Sequence, residues 1–359
     1  AIPAHRFDEA DLILSLEADF LGTWLAPELY TKQFASRRDP ASGKMNRLVV
    51  AESAMSLTGS NADRRLAISA GSHTALAFGL ANLLLPGSPL AGDGTVRSAI
   101  QAYTPVVVAK VTGLAEKQII ELAEELKKAK GRSLVVGGGV NTRTPVAGEL
   151  QIAVNMLNAI LGNEGKTVST KGAIKANGAV SEVAALEALI AEMKAGKVDT
   201  LIIDRANPAY EMPVASGFTD ALKKVKNVVF IGYHLNDTAM LCTHVLPVSH
   251  FLEAWSDALA HGSYSIVQPV IRQLFDSLPV LEIYARLTGD NTSAYEQVKK
   301  SHAANAKGQA WAKTLASGFA LLDAPGAAGA RGFKSAALKD VKPPVEAQAG
   351  YRLNLVESV

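Results

Sequence analysis

Cysteine is almost absent from this sequence of 359 residues, which contains Cys242 alone. A disulfide within the chain is therefore excluded, and so is an iron–sulfur cluster or four-cysteine zinc site built from this chain alone. Long apolar runs are also missing, since the best candidate, residues 74–85, contains Asn82 and falls short of the ~20 apolar residues that span a bilayer. We therefore expect no direct membrane span. The formal net charge is only +2, so we expect neither nucleic acid nor an anionic membrane surface as a partner.

The sequence starts at Ala1 without the charged and apolar regions of a secretory signal. We therefore expect a mature or processed chain, or a piece of a longer one. Its content of 48% apolar and 19% charged residues is typical of a globular protein, and its length is sufficient for two cores.

Short aliphatic runs alternate with helical apolar spacing along the chain. Predicted strands fall at residues 12–16, 47–51, 133–136, 200–203 and 228–231, and predicted helices at 116–130 and 148–161. This alternation predicts an α/β fold whose mostly parallel sheets are covered by helices on both faces.

The two halves of the sequence repeat one pattern of strand, polar loop, helix, second strand and threonine-bearing loop. The first copy starts at ADLILSLEADFLGTW and the second at VDTLIIDRANPAYEMP. The repeat predicts two Rossmann-like lobes, residues 1–113 and 114–290. Residues 291–359 are predicted to form a helix around 311–322 and a loose tether rich in Ala, Gly, Pro and Lys.

Polar residues and glycines follow two of the predicted strands. Asn207 and Pro208 follow the strand 200–203, and ligands of open parallel sheets bind beyond the carboxyl ends of the strands. The triplet Gly137, Gly138 and Gly139 follows the strand 133–136. A tight strand-to-helix turn is favoured here over a phosphate-binding turn, because the third glycine of G-x-G-x-x-G is missing.

Two further residue patterns give only weak evidence for a phosphate or metal site. Gly165-Lys166-Thr167 lacks the first glycine of a P-loop. Cys242, His244, His250 and Glu253 have no regular ligand spacing, so hydrogen-bonded loop side chains are favoured over a zinc site. The sequence also lacks a G-x-S-x-G nucleophile motif.

Taken together, these segments resemble the molybdopterin oxidoreductase family. The resemblance covers residues 7–290 in the family's order and rests on ADLILSLEADFLGTW, GKMNRLVVAESAMSLTGSNADRRLAI, GSHTALAFGLANLL, VTGLAEKQIIELAEELKKAKGRSLVVGGG, NMLNAILGNEGK, VDTLIIDRANPAYEMP and THVLPVSHFLEAWSD. Within the family, EADFLGTW, MSLTGSNAD and QPV resemble the large iron–sulfur protein of alternative complex III and of related quinone reductase complexes. The resemblance implies two lobes that, in cofactor-binding members, hold two pterin dinucleotides.

Several positions depart from the motifs of the cofactor-binding members. Glu17 and Asp19 stand where those members have Gly-x-Asn-Pro, which places two carboxylates where a pyrophosphate would lie. Arg205 replaces a glycine of the second copy, and His73 matches an aspartate. We therefore expect no catalytic residue, metal or cofactor in this chain. The expected vestigial site consists of Glu17, Asp19, His73, Gly137, Gly138, Gly139, Arg205, Asn207 and Pro208.

The resemblance implies a cofactor-free structural subunit, or fragment, of a membrane-associated quinol:electron-acceptor oxidoreductase complex in respiratory or photosynthetic electron transfer. It implies partners that carry an iron–sulfur domain, haem c and integral membrane segments, and a peripheral position on the periplasmic side of the inner membrane. Two alternatives stay open: part of a catalytic enzyme that holds molybdopterin guanine dinucleotide, and a soluble nucleotide-binding α/β enzyme. Without a cofactor, we expect that side chains such as Phe20, Trp24 and Tyr210 narrow the crevice between the lobes, or that water fills it.

Overall fold

The computed structural model describes residues 2–139, 142, 147–174, 183–260, 263–322, 330–339, 341 and 343–344. Its strands are β1 (Ile2–His5), β2 (Leu12–Leu16), β3 (Arg47–Glu52), β4 (Arg64–Ala67), β5 (Ser133–Gly137), β6 (Val168–Ile174), β7 (Thr200–Asp204), β8 (Asn227–Gly232), β9 (His244–Pro247), β10 (Ser256–Ala260), β11 (Ser263–Val267) and β12 (Phe319–Leu321). Its α-helices are α1 (Pro27–Ala35), α2 (Leu57–Ser60), α3 (His73–Leu84), α4 (Gly94–Ile100), α5 (Pro105–Thr112), α6 (Glu116–Lys128), α7 (Ala147–Ile160), α8 (Val183–Lys194), α9 (Pro208–Glu211), α10 (Phe218–Leu222), α11 (Val280–Leu287), α12 (Ala294–Asn305) and α13 (Trp311–Ser317). The strands predicted from the sequence pattern and the helices predicted at 116–130 and 148–161 are present within one or two residues.

The chain forms two compact units. One, the N-terminal unit, contains residues 3–173 and 325–359, and the other, the inserted unit, contains residues 1–2 and 174–324. This division differs from the boundaries at 113 and 290 expected from the sequence. The reason is strand β5, which lies after residue 113 yet pairs with β2.

The N-terminal unit contains a four-stranded parallel sheet in the order β4-β3-β2-β5. Leu14 and its even-numbered neighbours in β2 face a core shared with α3, α6 and α7. Ile13 faces the opposite core together with Phe20 and Tyr30. Both faces of the sheet are thus buried, as the continuous aliphatic strands predict. Phe20 is fully buried in this core. A separate two-stranded sheet pairs β1 with β6.

The inserted unit contains a three-stranded parallel sheet in the order β7-β8-β9. One face packs against α8 and α10 through Ile203, Val228 and Phe230. An antiparallel sheet, β10-β11-β12, lies in the same unit and was not predicted. The helix expected at 311–322 ends at Ser317, because Gly318 adopts a left-handed conformation (φ 79°) and the chain continues as β12.

Part of the predicted loose tether is packed against the N-terminal unit. Arg331 forms an ion pair with Glu164 at 2.7 Å and donates to Asn155 at 3.3 Å. Leu338 is 4% exposed and joins the core that contains α7. The segment 330–339 is therefore held by contacts that its composition did not indicate.

None of the helices within the described ranges combines the length and the apolar content that a membrane span requires.

Candidate functional site

The first strands of the two parallel sheets end in the same unusual backbone conformation. Glu17 follows β2 with φ 62°, and Arg205 follows β7 with φ 52°. The Glu17 N–H donates to the Ala51 carbonyl at 3.0 Å, and the Arg205 N–H donates to the Ile231 carbonyl at 2.8 Å. A left-handed conformation is uncommon for residues other than glycine. The repeat predicted from the sequence is therefore present in the structure at the level of single hydrogen bonds.

The next polar residue of each loop binds a threonine from the loop after the second strand. Asp19 Oδ1 accepts from the Thr58 N–H at 2.9 Å and hydroxyl at 2.8 Å. Asn207 Oδ1 accepts from the Thr238 N–H at 3.1 Å and hydroxyl at 2.8 Å. Each threonine hydroxyl in turn accepts a backbone N–H of its partner loop, at 3.0 and 2.9 Å. These contacts join the two loops at the carboxyl edge of each sheet.

The Glu17 carboxylate is buried at the carboxyl edge of the first sheet. Its side chain is 5% exposed, and one oxygen contacts His73 Nε2, whose side chain is 1% exposed. The same carboxylate accepts the Ser53 N–H at 2.9 Å and the Ser53 hydroxyl at 3.0 Å. A buried carboxylate needs such compensation, because burial without it is strongly unfavourable. His73 begins α3, so the helix dipole also favours a negative charge nearby.

The glycine triplet allows the backbone of the N-terminal unit to close around Glu17. A Cβ at Gly139 would lie 2.3 Å from the Glu17 carbonyl oxygen, and one at Gly137 would lie 2.8 Å from the Val154 side chain. Gly138 has φ 118°, a conformation that side chains disfavour. The three glycines are therefore explained by close backbone packing where β5 ends. Most of the connection to α7, where the sequence predicts a tight turn, lies outside the described residues.

A dinucleotide pyrophosphate does not fit the residues at this edge. The backbone N–H groups of Ser53 and Thr58, together with their hydroxyls, donate to the carboxylates of Glu17 and Asp19. A second anion at the same donors would meet two negative charges at short range in a largely dry site, at a cost of several kcal/mol. His73 also contacts a carboxylate of the chain itself.

The equivalent edge of the inserted unit is more exposed and its charges are balanced locally. Arg205 Nε contacts Asp204 at 2.7 Å, and this hydrogen bond raises the pKa of the guanidinium. Asn207 Nδ2 donates to Asp237 at 3.1 Å, and Tyr284 donates to Asp204 at 3.2 Å. Pro208 occupies the first position of α9. This edge is therefore a hydrogen-bonded polar cluster in which a carboxylate lies beside the Arg205 cation.

The cysteine and histidines of β9 and the following loop do not converge. Cys242 donates to the Thr238 carbonyl at 3.1 Å, and burial raises the pKa of its thiol. His244 Nδ1 contacts Thr243 at 2.9 Å, while Glu253 accepts the His250 N–H at 3.0 Å. Within the described ranges, no group of three or more His, Cys, Asp or Glu side chains has the arrangement of a metal site.

The sequence did not identify the hydrogen-bond partners of Glu17 and Asp19 at the carboxyl edge of the first parallel sheet. Ser53 and Thr58 lie in the loop that the sequence pattern marks only as threonine-bearing, and Thr238 lies in the repeat of that loop. The usable signal was the recurrence of a threonine at the same place after the second strand of both copies. The structure brings Glu17, Asp19, His73 and the glycines to one edge, and Arg205, Asn207 and Pro208 to the edge of the other unit.

No protein-family model matches the chain, whereas comparisons with curated proteins and with solved structures find similar proteins. The chain is 29% identical over 325 residues to the menaquinone reductase molybdopterin-binding-like subunit of Nitratidesulfovibrio vulgaris, covering 84% of the chain and 47% of the relative. It superposes on acetylene hydratase from Pelobacter acetylenicus with a TM-score of 0.69 and 15% identity, covering 90% of the chain and 54% of that structure. The chain thus spans about half the length of either protein.

Proposed function

Because the chain is molybdopterin oxidoreductase-like in sequence and in fold, we propose that it is a structural component of a membrane quinone oxidoreductase complex. The relative in sequence is a subunit named for menaquinone reduction, which supports a quinone reductase type of assembly. On this proposal the chain holds no molybdopterin dinucleotide and performs no redox step. Electrons pass through iron–sulfur and haem centres on other polypeptides of the complex.

Our finer proposal is a complex of the alternative complex III type, with the chain peripheral on the periplasmic face of the membrane. Its partners would be an iron–sulfur domain, haem c subunits and integral membrane subunits. This assignment is supported by the sequence resemblance in EADFLGTW, MSLTGSNAD and QPV. Co-purification of haem c and multispan subunits, identified by mass spectrometry, tests it, and a complex without haem would contradict it.

The observation that carries the cofactor-free proposal is the buried Glu17 carboxylate. It contacts His73 and accepts two hydrogen bonds from Ser53, so the chain itself supplies the anion at this edge. Asp19 likewise accepts hydrogen bonds from the N–H and the hydroxyl of Thr58. Elemental analysis for molybdenum and tungsten, together with pterin fluorescence of the oxidised extract, tests the proposal on the purified complex. We expect neither metal nor pterin, and stoichiometric metal with pterin would contradict the proposal.

A pair of variants separates a structural role of Glu17 from a catalytic one. Glu17→Gln removes the buried carboxylate that accepts two hydrogen bonds from Ser53 and contacts His73, and it is expected to cost about 3 kcal/mol of stability. Arg205→Gln is the matched control at the equivalent, exposed position and should change stability by about 0.5 kcal/mol or less. Quinone turnover per assembled complex should be unchanged in both. Loss of turnover in a fully assembled Glu17→Gln complex would contradict a purely structural role.

A further inference from the structure

A cavity of about 320 Å³ lies in the inserted unit between the end of β9 and α11. Among the described residues that line it, none belongs to the polar cluster at the end of β7. Its size is within the range of small-molecule sites, which are mostly apolar and contain a few polar groups. Its apolar lining includes Leu246, Leu278, Ile283 and Leu287.

The walls of the cavity are fixed by contacts within the inserted unit. The Leu278 N–H donates to the Pro247 carbonyl at 3.1 Å, and the Ser249 N–H donates to the Leu278 carbonyl at 3.0 Å. The hydroxyls of Ser249 and Ser277 are bonded to each other at 2.9 Å. Ile283 of α11, which is 4% exposed, forms another wall. The cavity is therefore formed without a ligand.

The apolar walls favour a hydrocarbon occupant over water, because water needs several hydrogen-bond partners. A water-sized group takes about 30 Å³ of liquid, so the cavity has room for about ten chain carbons. Its mouth continues onto apolar surface, since Leu287 is 54% exposed and Phe275, which precedes the lining residue Asp276, is 80% exposed. A chain longer than about ten carbons can therefore extend out of the cavity along this surface.

The lining also contains one cation, Arg286, and one anion, Asp276. The contact of Arg286 with Glu282 is long, at 3.6 Å, and Glu282 also accepts the Ala294 N–H at 2.9 Å. The Arg286 side chain is 51% exposed, so its N–H groups can donate to a bound anion. A head group that contains both a phosphate and an ammonium group complements the two charges.

We propose that this cavity binds one acyl chain of a phospholipid with an ethanolamine head group. Arg286 donates to the phosphate, and Asp276 accepts from the ammonium group. Such a lipid has no net charge, which agrees with the small net charge of the chain. The binding itself is independent of the proposed function, whereas the source of the lipid, a membrane beside the chain, rests on it.

A chain-length series tests the cavity on the purified 359-residue chain. Lysophosphatidylethanolamines with about six to fourteen chain carbons are titrated by calorimetry below their micelle concentrations. Each methylene that enters the cavity should lower Kd about fourfold. Beyond about ten carbons the gain should shrink, because further carbons stay on the open surface. Absence of binding, or a constant gain through the whole series, would overturn the proposal.

The head group is tested with Arg286→Gln and Asp276→Asn, each of which should raise Kd about fivefold. Lysophosphatidylglycerol of equal chain length lacks the ammonium group and should bind the unaltered chain about fivefold more weakly. Asp276→Asn should remove this difference. The control is Arg272→Gln, at an exposed position outside the lining, which should leave Kd unchanged. Equal Kd values for the two lipids on the unaltered chain would overturn the head-group assignment.

A cavity-blocking variant tests the position of the acyl chain. Leu287 lines the cavity and is 54% exposed, so Leu287→Trp fills the mouth without replacing a buried side chain. Kd should rise at least about tenfold, which corresponds to the loss of about two methylene contacts, and the melting temperature should change by about 2 °C or less. Leu259→Trp in β10, at a position 43% exposed, is the matched control and should not alter Kd. Unchanged binding by a folded Leu287→Trp chain would overturn the proposal.

Lipid analysis of the purified complex identifies the natural occupant. Mass spectrometry of an organic extract should find one ethanolamine phospholipid fewer per complex in the Leu287→Trp variant than in the unaltered complex. Equal lipid content in the two complexes would overturn the assignment to a membrane lipid. A complex that shows this difference but lacks haem c would contradict the alternative complex III proposal and still support the lipid site.

Discussion

Glu17 and Arg205 occupy one position in two copies of the same loop, yet their side chains have opposite charge and different surroundings. Both keep the left-handed backbone, because each N–H is bonded to the neighbouring strand. Glu17 is enclosed by His73, Ser53 and the Gly139 turn, whereas Arg205 is exposed beside Asp204. The backbone conformation is therefore the same at this position in both copies. The side chain determines what the carboxyl edge of each sheet can bind.

A buried histidine makes the N-terminal unit sensitive to acid. Burial, assisted by the charge of Arg331, lowers the pKa of His5 from 6.5 to about 4. The unfolded chain therefore binds a proton before the folded chain as the pH falls, and stability is lost between pH 6.5 and about 4. Urea unfolding at pH 7 and pH 5 should show a loss of about 2 kcal/mol from this group.

The variant His5→Phe isolates this contribution. His5 packs with Trp24 at 5.1 Å and Tyr30 at 6.2 Å between ring centroids, so phenylalanine keeps the aromatic packing. The difference between pH 7 and pH 5 should shrink by about 2 kcal/mol in the variant. An unchanged pH dependence would show that His5 is not the responsible group.

At the scale of elements, the feature that repeats is a pair of loops at strand ends, which a threonine joins through hydrogen bonds. Thr58 and Thr238 are both fully buried and make equivalent bonds. The Thr58 hydroxyl donates to a carboxylate and the Thr238 hydroxyl to an amide oxygen. Hydrogen bonds to charged groups are stronger than those to neutral groups. The Thr58 hydrogen bond should therefore stabilise its loops more than the Thr238 hydrogen bond does.

Substitution by valine tests this difference. Thr58→Val should destabilise its unit by about 2–3 kcal/mol, and Thr238→Val should destabilise its unit by about 1 kcal/mol. Native-state hydrogen exchange of β2 and β7 reports each unit separately. Ser36→Ala, which alters an exposed hydroxyl, is the control and should stay within about 0.5 kcal/mol. Equal losses in the two threonine variants would contradict the charge argument.

At the scale of the whole molecule, exposed apolar side chains are concentrated in the inserted unit. Leu274 is 67% and Phe275 80% exposed, and Leu274 N–H donates to Glu253 in the loop that carries Phe251. In the N-terminal unit, the large apolar side chains more than half exposed within the described ranges are Met55 and Leu57. Apolar surface of this extent is typical of regions that contact other proteins.

Self-association of the isolated chain should depend on this surface. The double variant Leu274→Ser and Phe275→Ser should lower light scattering at high protein concentration and change the melting temperature by about 2 °C or less. Ile266→Ser, at a position 8% exposed, is the contrasting control and should lower the melting temperature. Unchanged scattering in the double variant would assign association to another surface.

The sequence predicted most elements of both parallel sheets, because a buried strand needs a continuous aliphatic run that local spacing reveals. It did not predict that β5 joins β2, since pairing between distant segments depends on tertiary packing. The antiparallel sheet β10-β11-β12 was missed for the same reason. Among the site residues, Glu17 and Asp19 were recognised from their position in the repeat, but Ser53 and Thr58 became partners only through folding.

By itself the sequence determined the α/β class, the repeat of two strand-loop copies and the resemblance to molybdopterin oxidoreductases, since these depend on residue types at fixed spacing. Tertiary structure decided which charges are buried, because the environment of Glu17 is made by His73, Ser53 and Gly139 from separate segments. It also decided that the edge of β7 stays open within the described ranges while the edge of β2 is paired, since strand pairing is a property of the assembled sheet.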